Sequence, residues 1–407
     1  KGMQYERIIL LAPSHTQAFR GVIAPSASVY QTPLGTISID TAAIQNLVAQ
    51  SPLFTQQDTL FEREHAIELE LPYIQFFNTA GPVLPLIVGS LSDVEMTAAV
   101  AALKKIITPR TLVVISSDFI HYGPQYDFTP FSDHQLLRIK QLDSAILWAI
   151  QKADRTDFMR IVKQTNATVC GATPIAILLA LIEQSAFGPV TTRLVSYDTS
   201  LRTTGSSDSL VTYAGLITTT ETNNSTLSAY EKRSLLDYAR AILENTFTKK
   251  VDATLLQPIL TPLITQKRGV FVTLYAPQKE LRGCIGTVQP IKPIYQAVAE
   301  MARAAAFEDP RFSPVTAAEL KNLKIEISIL TEPRPIKSYK DIMLNTHGII
   351  LSNHGRSALF LPKVPQEFGF DLPQTLTELS KKAGLPSDAW QQPETTYQVF
   401  ETIDFGE

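Results

Sequence analysis

Apolar residues along the first half of the chain follow two alternating patterns. Ile8 to Ala12, Val83 to Val88, Leu112 to Ile115 and Leu210 to Ile217 are short continuous runs rich in Val, Ile and Leu, the pattern of buried strands. Between them, apolar residues recur at helical spacing. One helix is predicted after an Asp40 N-cap, with Ile44, Leu47 and Val48 facing inward, and others over Asp93 to Ile107, Gln135 to Lys152 and Thr173 to Glu183. Strands alternating with helices predict an α/β sandwich with a central, largely parallel sheet. In such sheets ligands bind beyond the carboxyl ends of the strands.

The pattern changes after the segment Thr218 to Ser228, TTTETNNSTLS, which is polar and rich in turn formers and is read as a linker. The domains are accordingly 1–217 and 229–407, joined by 218–228. The second half is predicted to begin with a helix over Tyr230 to Asn245. A strand from Val270 to Tyr275 follows, then the run Leu281 to Thr287, an Ala-rich helix from Ile294 to Ala306 and a strand from Ile325 to Leu330. Gly348 to Pro362 reads as a hairpin turning at Asn353-His354-Gly355. Few helices among these strands predict an α+β domain with a mainly antiparallel sheet. No internal repeat interrupts either half.

Composition narrows the function classes. Apolar residues at 44% and charged ones at 18% describe ordinary globular protein, and 407 residues suffice for two or three cores. A net charge of -3 gives no electrostatic case for nucleic acid or an anionic membrane. Two distant Cys make a disulfide framework implausible, the start of the chain has no signal-peptide h-region, and the longest apolar runs, such as Ile175 to Ile182, are too short to span a bilayer. A cytoplasmic location is expected.

Against this background the scarce metal-binding side chains stand out. Of six His and two Cys, His15, His65, His121 and Cys170 fall in the first 170 positions. His15 follows Pro13-Ser14 just after a predicted strand, and Asp118 and His121 bracket a short loop after another. That places them on the functional edge of the sheet. Asp118 and His121 together can relay a proton, the alternative being a capping Asp beside a surface His. In Glu64-His65-Ala66-Ile67-Glu68 a helix sets His65 and Glu68 on one face, where a carboxylate fixes the imidazole tautomer, although a solvated pair has the same spacing. Cys170 precedes Gly171-Ala172-Thr173-Pro174 and a strongly apolar helix; near a helix N-terminus the thiolate is favoured, against the alternative of inert burial. Imidazole plus thiolate suits Fe, Zn or Cu. Cys284 reads as structural, and the run Arg282 to Gly286 lacks both GxGxxG and a Walker lysine, so nucleotide binding by that route is rejected. Gly283 and Gly286 read instead as sites of tight backbone approach or positive φ.

These motifs carry a resemblance. Pro13-Ser14-His15, Glu64-His65-Ala66-Ile67-Glu68 with Leu71-Pro72-Tyr73, Ser116-Ser117-Asp118-Phe119 with His121, and Cys170-Gly171 with Pro174 occur in the order seen in Memo-like proteins, a family similar in fold to class III extradiol dioxygenases. The likeness covers roughly residues 5 to 217. The second half resembles an AMMECR-type domain through Leu281 to Thr287, Phe307-Glu308-Asp309-Pro310-Arg311-Phe312 and Glu326-Ile327-Ser328. The fusion is similar to the AmmeMemoRadiSam group, whose third member is a radical SAM protein. The resemblance implies an iron or copper ion held by two His and one Cys, of which His15 and Cys170 match two. The other His belongs to a Pro-His-Ala-Gly-Tyr motif with no counterpart in residues 1–14, so the chain is expected to be truncated or to have lost that ligand. His65, Asp118 and His121 match pocket residues, expected to act in catalysis or to serve as substitute ligands.

Three readings follow. The first is a metal-dependent, oxidoreductase-like enzyme acting on a small or peptidyl substrate, in which His15 and Cys170 hold the ion and His121 or His65 handles protons, with Asp118 orienting one of them. The second is a non-catalytic interaction or scaffold protein with an enzyme-like pocket, its partner a radical SAM protein or a peptide. The third is a hydrolase-like protein with Cys170 as nucleophile and His121 as base.

Overall fold

The computed structural model describes residues 4–77, 81–220 and 226–407. The chain divides into two compact units, Lys1–Tyr230 with Ile259–Pro262, and Glu231–Pro258 with Leu263–Glu407. The strand Leu210–Thr219 runs two residues into the segment read as a linker, and residues 221–225 of that segment lie outside the described residues.

In the first unit a five-stranded sheet has the order Phe54–Gln56, Val22–Ala24, Val83–Val88, Arg7–Ala12, Thr111–Ile115. The strand Arg7–Ala12 is parallel to both Val83–Val88 and Thr111–Ile115, and Val22–Ala24 is parallel to Phe54–Gln56. Only the Val22–Ala24 pairing with Val83–Val88 is antiparallel, so the sheet is mainly parallel, as the strand-helix alternation predicts. The continuous apolar run at its centre has a simple cause: successive side chains enter opposite cores. Ile9 and Leu11 pack with the helices Thr41–Gln50, Asp93–Lys104 and Ala172–Glu183, while Ile8, Leu10 and Ala12 pack with Ala66, Ile67, Leu71 and Ile74. Each such Ile or Leu side chain contributes roughly 1.5–3 kcal/mol by its burial. The helix starts follow local chemistry. Asp40 accepts the Ala43 N–H at 2.9 Å, and Ser92 and Glu95 close a capping box.

Leu210 to Ile217 is a strand, but of a separate antiparallel sheet in the order His121–Tyr122, Leu210–Thr219, Thr191–Thr199. Leu210 and Thr212 are buried while Tyr213 and Ile217 are exposed, which an antiparallel strand covered on one face allows. This sheet packs with Gln135–Gln151 and Arg155–Thr165 around Ile139, Ile146 and Phe158.

The second unit contains two four-stranded sheets with all pairs antiparallel. One has the order Leu281–Thr287, Val270–Tyr275, Lys324–Leu330, Thr402–Gly406; the other Arg334–Ile336, Thr396–Phe400, Gly348–Asn353, Arg356–Phe360. The predicted hairpin turns at His354 and Gly355, both at positive φ. Gly283 and Gly286 owe their identity to close approach and not to positive φ. A Cβ on Gly283 would stand 2.1 Å from the Ala305 carbonyl of the helix Ile294–Phe307, and one on Gly286 would stand 2.2 Å from the Phe271 ring. Among the described residues no helix is long and apolar enough to cross a membrane.

Candidate functional site

Two adjacent parallel strands, Arg7–Ala12 and Thr111–Ile115, deliver their following loops to the same edge of the sheet. The first loop carries Ser14 and His15, the second Ser116, Ser117 and Asp118. Cys170 arrives from the third side, immediately before the helix Ala172–Glu183.

Glu64 organises the first side. It is 1% exposed, and its carboxylate accepts the His15 backbone N–H at 2.5 Å, the His15 Nδ1–H at 2.8 Å and the Ala66 N–H at 3.0 Å. Burial alone would push this carboxyl up, but the bonds from His15 and Ala66 outweigh it and hold it below the usual carboxylate range. Because a carboxylate can only accept, His15 carries a proton on Nδ1, and Nε2 is the ring nitrogen left for Cys170. The His65 ring stacks on His15 with centroids 4.6 Å apart, its Nδ1 3.5 Å from Glu64 Oε1. The sequence suggested Glu68 as the carboxylate partner of the His65 imidazole. The structure gives that place to Glu64, which reaches both imidazoles from the N-cap of the four-residue helix His65–Glu68.

On the second side, Cys170 Sγ accepts the Asp118 N–H at 3.1 Å. Ser117 Oγ–H donates to the Asp118 carbonyl at 2.8 Å and accepts the Gly171 N–H at 2.9 Å. Gly171 is required here, since a Cβ would fall 2.4 Å from Ser117 Cβ and 2.9 Å from the Ser116 carbonyl. Cys170 and His15 meet across the pocket. Their hydrogen bond is the largest cause raising the His15 pKa to about 9; burial opposes it and Glu64 adds to it.

His121 stands beside this pair. Its N–H donates to Thr168 Oγ1 and the Thr168 hydroxyl returns a bond to the His121 carbonyl, both at 2.8 Å. Its Nδ1 faces the carbonyls of Thr168 at 3.0 Å and Phe119 at 3.2 Å, so Nδ1 carries the proton and Nε2 is the basic atom. Nε2 lies 3.7 Å from Asp118 Oδ2, an ion-pair distance without a hydrogen bond. Backbone carbonyls therefore orient His121, and Asp118 supplies charge opposite its free nitrogen. Sequence reasoning passed over Glu70, half-buried nearby, whose carboxyl is pushed up by burial and by the Asp118 charge against a bond from Ser116. Its proximity was hidden because Glu70 sits among Glu62, Glu64 and Glu68, a run that looks like a solvated face.

All five residues singled out from the sequence thus line one region, and the donor set fits a soft or borderline transition metal. Ligand atoms of His15, Glu64 and His65 lie within 4.8 Å of one another, and the thiol of Cys170 hydrogen-bonds the same His15. The buried Glu64 plays the part of the carboxylate that orients a ligating imidazole.

Comparison with known proteins gives two family matches: Memo-like protein over residues 1–217 and AMMECR1 over residues 236–405. Protein MK0488 of Methanopyrus kandleri is 45% identical over 155 residues, 36% of this chain and 75% of the relative. Protein MJ0810 of Methanocaldococcus jannaschii is 40% identical over 177 residues, 42% of this chain and 87% of the relative. The crystal structure of the uncharacterized protein PH0010 from Pyrococcus horikoshii aligns at 37% identity with a TM-score of 0.40, covering 42% of this chain and 89% of that one.

Proposed function

Because the chain belongs to the Memo-like protein family and carries an AMMECR1 domain behind that match, we propose that its first half is a metal-dependent, oxidoreductase-like protein. His15 and Cys170 hold an iron or copper ion, with His65 as third donor. The observation that carries this reading is the Glu64 clamp. A carboxylate buried to 1% exposure and bonded to the backbone N–H and Nδ1–H of His15 fixes Nε2 as the ring atom that faces Cys170, and a metal would take Nε2 on release of the proton it shares with the thiol. An iron or copper ion held there would supply redox and Lewis-acid chemistry. The protein's own groups do the rest. His121 Nε2 takes a proton from a small or peptidyl substrate, and Asp118 stabilises the imidazolium that results. The Cys170–Asp118 and Ser117–Gly171 bonds keep the thiol in register with His15. A radical SAM protein is the proposed partner, on the strength of the two-module fusion, and co-purification tests it.

Metal analysis of the anaerobically purified full chain decides the main point. Near-stoichiometric iron or copper in the wild type, lost in both His15→Ala and Cys170→Ala and reduced in Glu64→Gln, is expected. A well-folded wild type that takes up neither ion sinks the proposal and leaves an interaction protein with an enzyme-like pocket.

A further inference from the structure

The parallel sheet of the first unit ends on a strand with one side open. Among the described residues Thr111–Ile115 pairs with Arg7–Ala12 alone. Just past that pairing Ser116 donates its N–H to the Leu11 carbonyl at 2.9 Å, so by the alternation of a strand Leu112 and Val114 also turn their N–H and C=O groups toward Arg7–Ala12. Val113 and Ile115 turn theirs outward, as Thr111 does its carbonyl, and no group of the described residues bonds them. The side chains share this opening. All five residues are half-buried, Leu112 and Val114 at the rim of the cluster around Ile8 and Leu10, Val113 and Ile115 at the rim of the one around Ile9 and Leu11.

The opposite edge of the sheet shows how a bare edge is protected. Phe54–Gln56 is three residues long, and its Thr55 and Gln56 are polar and exposed. Thr111–Ile115 is longer, mostly β-branched, uncharged and free of proline, and its register runs without a bulge. Those are the properties of a strand that accepts another.

The edge also selects its occupant. A row of outward N–H and C=O groups pairs with an extended backbone, and an uncharged lining calls for apolar side chains beside it. A second copy of the chain falls short, because two such strands pairing edge to edge engage five residues a side where a stable dimer uses roughly 20–30. Beyond the end of the strand the charge is negative. Asp118 lies in the loop that follows and Glu70 bonds Ser116 of the same loop, and neither has a Lys or Arg partner among the described residues.

We propose that Thr111–Ile115 is a docking edge for an extended segment of a partner polypeptide. The segment adds to the sheet as a sixth strand, with about five residues, mostly apolar and β-branched, followed by Lys or Arg opposite the two carboxylates. Running parallel to Thr111–Ile115, it delivers that basic residue to the sheet edge that carries His15 and Asp118. The docking needs no ion at the His15–Cys170 pocket, so it is tested apart from the metal.

The test follows fluorescence anisotropy of a labelled, end-blocked peptide, Val-Thr-Val-Thr-Val-Lys-Lys, on the full chain. One N-methylated form carries methyl groups on its first, third and fifth residues, another on its second and fourth, so each loses the N–H groups of one edge. An added strand bonds through one edge only. One form is therefore expected to bind about tenfold more weakly than the parent and the other to bind like the parent. Val113→Pro removes an outward N–H, a change that edge strands accept, and is expected to weaken binding about tenfold with thermal unfolding little altered. The methylated pair decides even where that variant fails to fold. Replacing both Lys of the peptide by Glu is expected to weaken binding about tenfold as well. No binding of the parent at millimolar peptide, equal binding of the two methylated forms, or equal binding of the Lys and Glu peptides overturns the proposal. So does a chain that sediments as a dimer and becomes a monomer with the peptide, which gives the edge to a second copy.

Discussion

Two carboxyl groups in the first unit are almost equally inaccessible and yet titrate in opposite directions. Glu64 is 1% exposed and Asp143 0%. Glu64 accepts three N–H bonds, two of them from His15, and is held below the usual range against the pull of its burial. Asp143, on the helix Gln135–Gln151, accepts the Tyr197 phenol at 2.7 Å while its Oδ1 has no hydrogen-bond partner. Burial there outweighs the bond from Tyr197 and the weaker pull of the nearby Thr212 hydroxyl and Ile120 N–H, and pushes it up to about 7. Depth decides how much a charge matters, and the number of N–H donors decides whether the charge survives. The survivor lies at the pocket. The other lies beneath the Phe119–His121 segment, where Ile120 N–H also bonds Thr212 Oγ1 at 2.8 Å.

The sharpest way to break this comparison is Glu64→Leu. It orphans three N–H groups, at roughly 1–3 kcal/mol each, so a loss of about 5 kcal/mol in denaturant unfolding is expected. A loss below about 1 kcal/mol would mean that water replaces the carboxylate and that Glu64 is no clamp. The sign with pH follows from its lowered value: the Glu64 contribution is present above the unfolded value of 4.5 and is lost as pH falls below it.

Asp143 carries the opposite sign. Between its unfolded value of 3.8 and about 7 the folded chain keeps a proton that the unfolded chain releases, so stability declines as pH rises through that window, by on the order of 4 kcal/mol. Asp143→Asn removes the ionisation and is expected to flatten this decline. Trp148, on the same helix, reports it by fluorescence in a Trp390→Phe background. An unchanged slope in the variant would assign the pH dependence elsewhere and level the two carboxyls.

The sequence made the first unit's frame readable because its central strands are buried on both faces. Ile8 to Ala12 and Val83 to Val88 cannot be anything exposed, and the loops after parallel strands carry the site by topology. His15 and Asp118 were legible for that reason, and Cys170 by its place before a Pro-bearing helix start. The role of Glu64 was not, since four carboxylates between 62 and 70 look alike until the chain brings one of them beneath His15, 49 positions away in sequence. Asp143 was hidden in the same way, as a polar residue inside an amphipathic helix whose burial depends on the distant Tyr197. The setting of Cys284 needed a register, since the pairing that places Thr273 against it joins positions 11 residues apart.

A smaller effect tests whether the clamp and the thiol are held independently. Gly171→Ala places a Cβ against Ser117 and the Ser116 carbonyl, and about 2 kcal/mol of destabilisation is expected as the loop gives way. Because the same shift moves the Asp118 N–H off Cys170 Sγ, the variant is expected to label faster with a neutral thiol reagent at Cys170. An unaltered labelling rate would show that the thiol is positioned without the latch.

The smallest effect belongs to Ser117→Ala, and it sharpens the contrast between buried and half-buried polar groups. The hydroxyl accepts the Gly171 N–H at 2.9 Å and donates to the Asp118 carbonyl at 2.8 Å, so its removal breaks two bonds where Glu64→Leu breaks three. Yet Ser117 is only half-buried, and water can reach the groups it leaves. The cost is therefore expected near 1 kcal/mol, the ordinary worth of a hydrogen bond and not of a desolvated charge. Denaturant unfolding of the variant beside Glu64→Leu measures the difference. Equal losses in the two would show that hydrogen-bond count alone, and not burial of charge, sets the stability of this edge of the sheet.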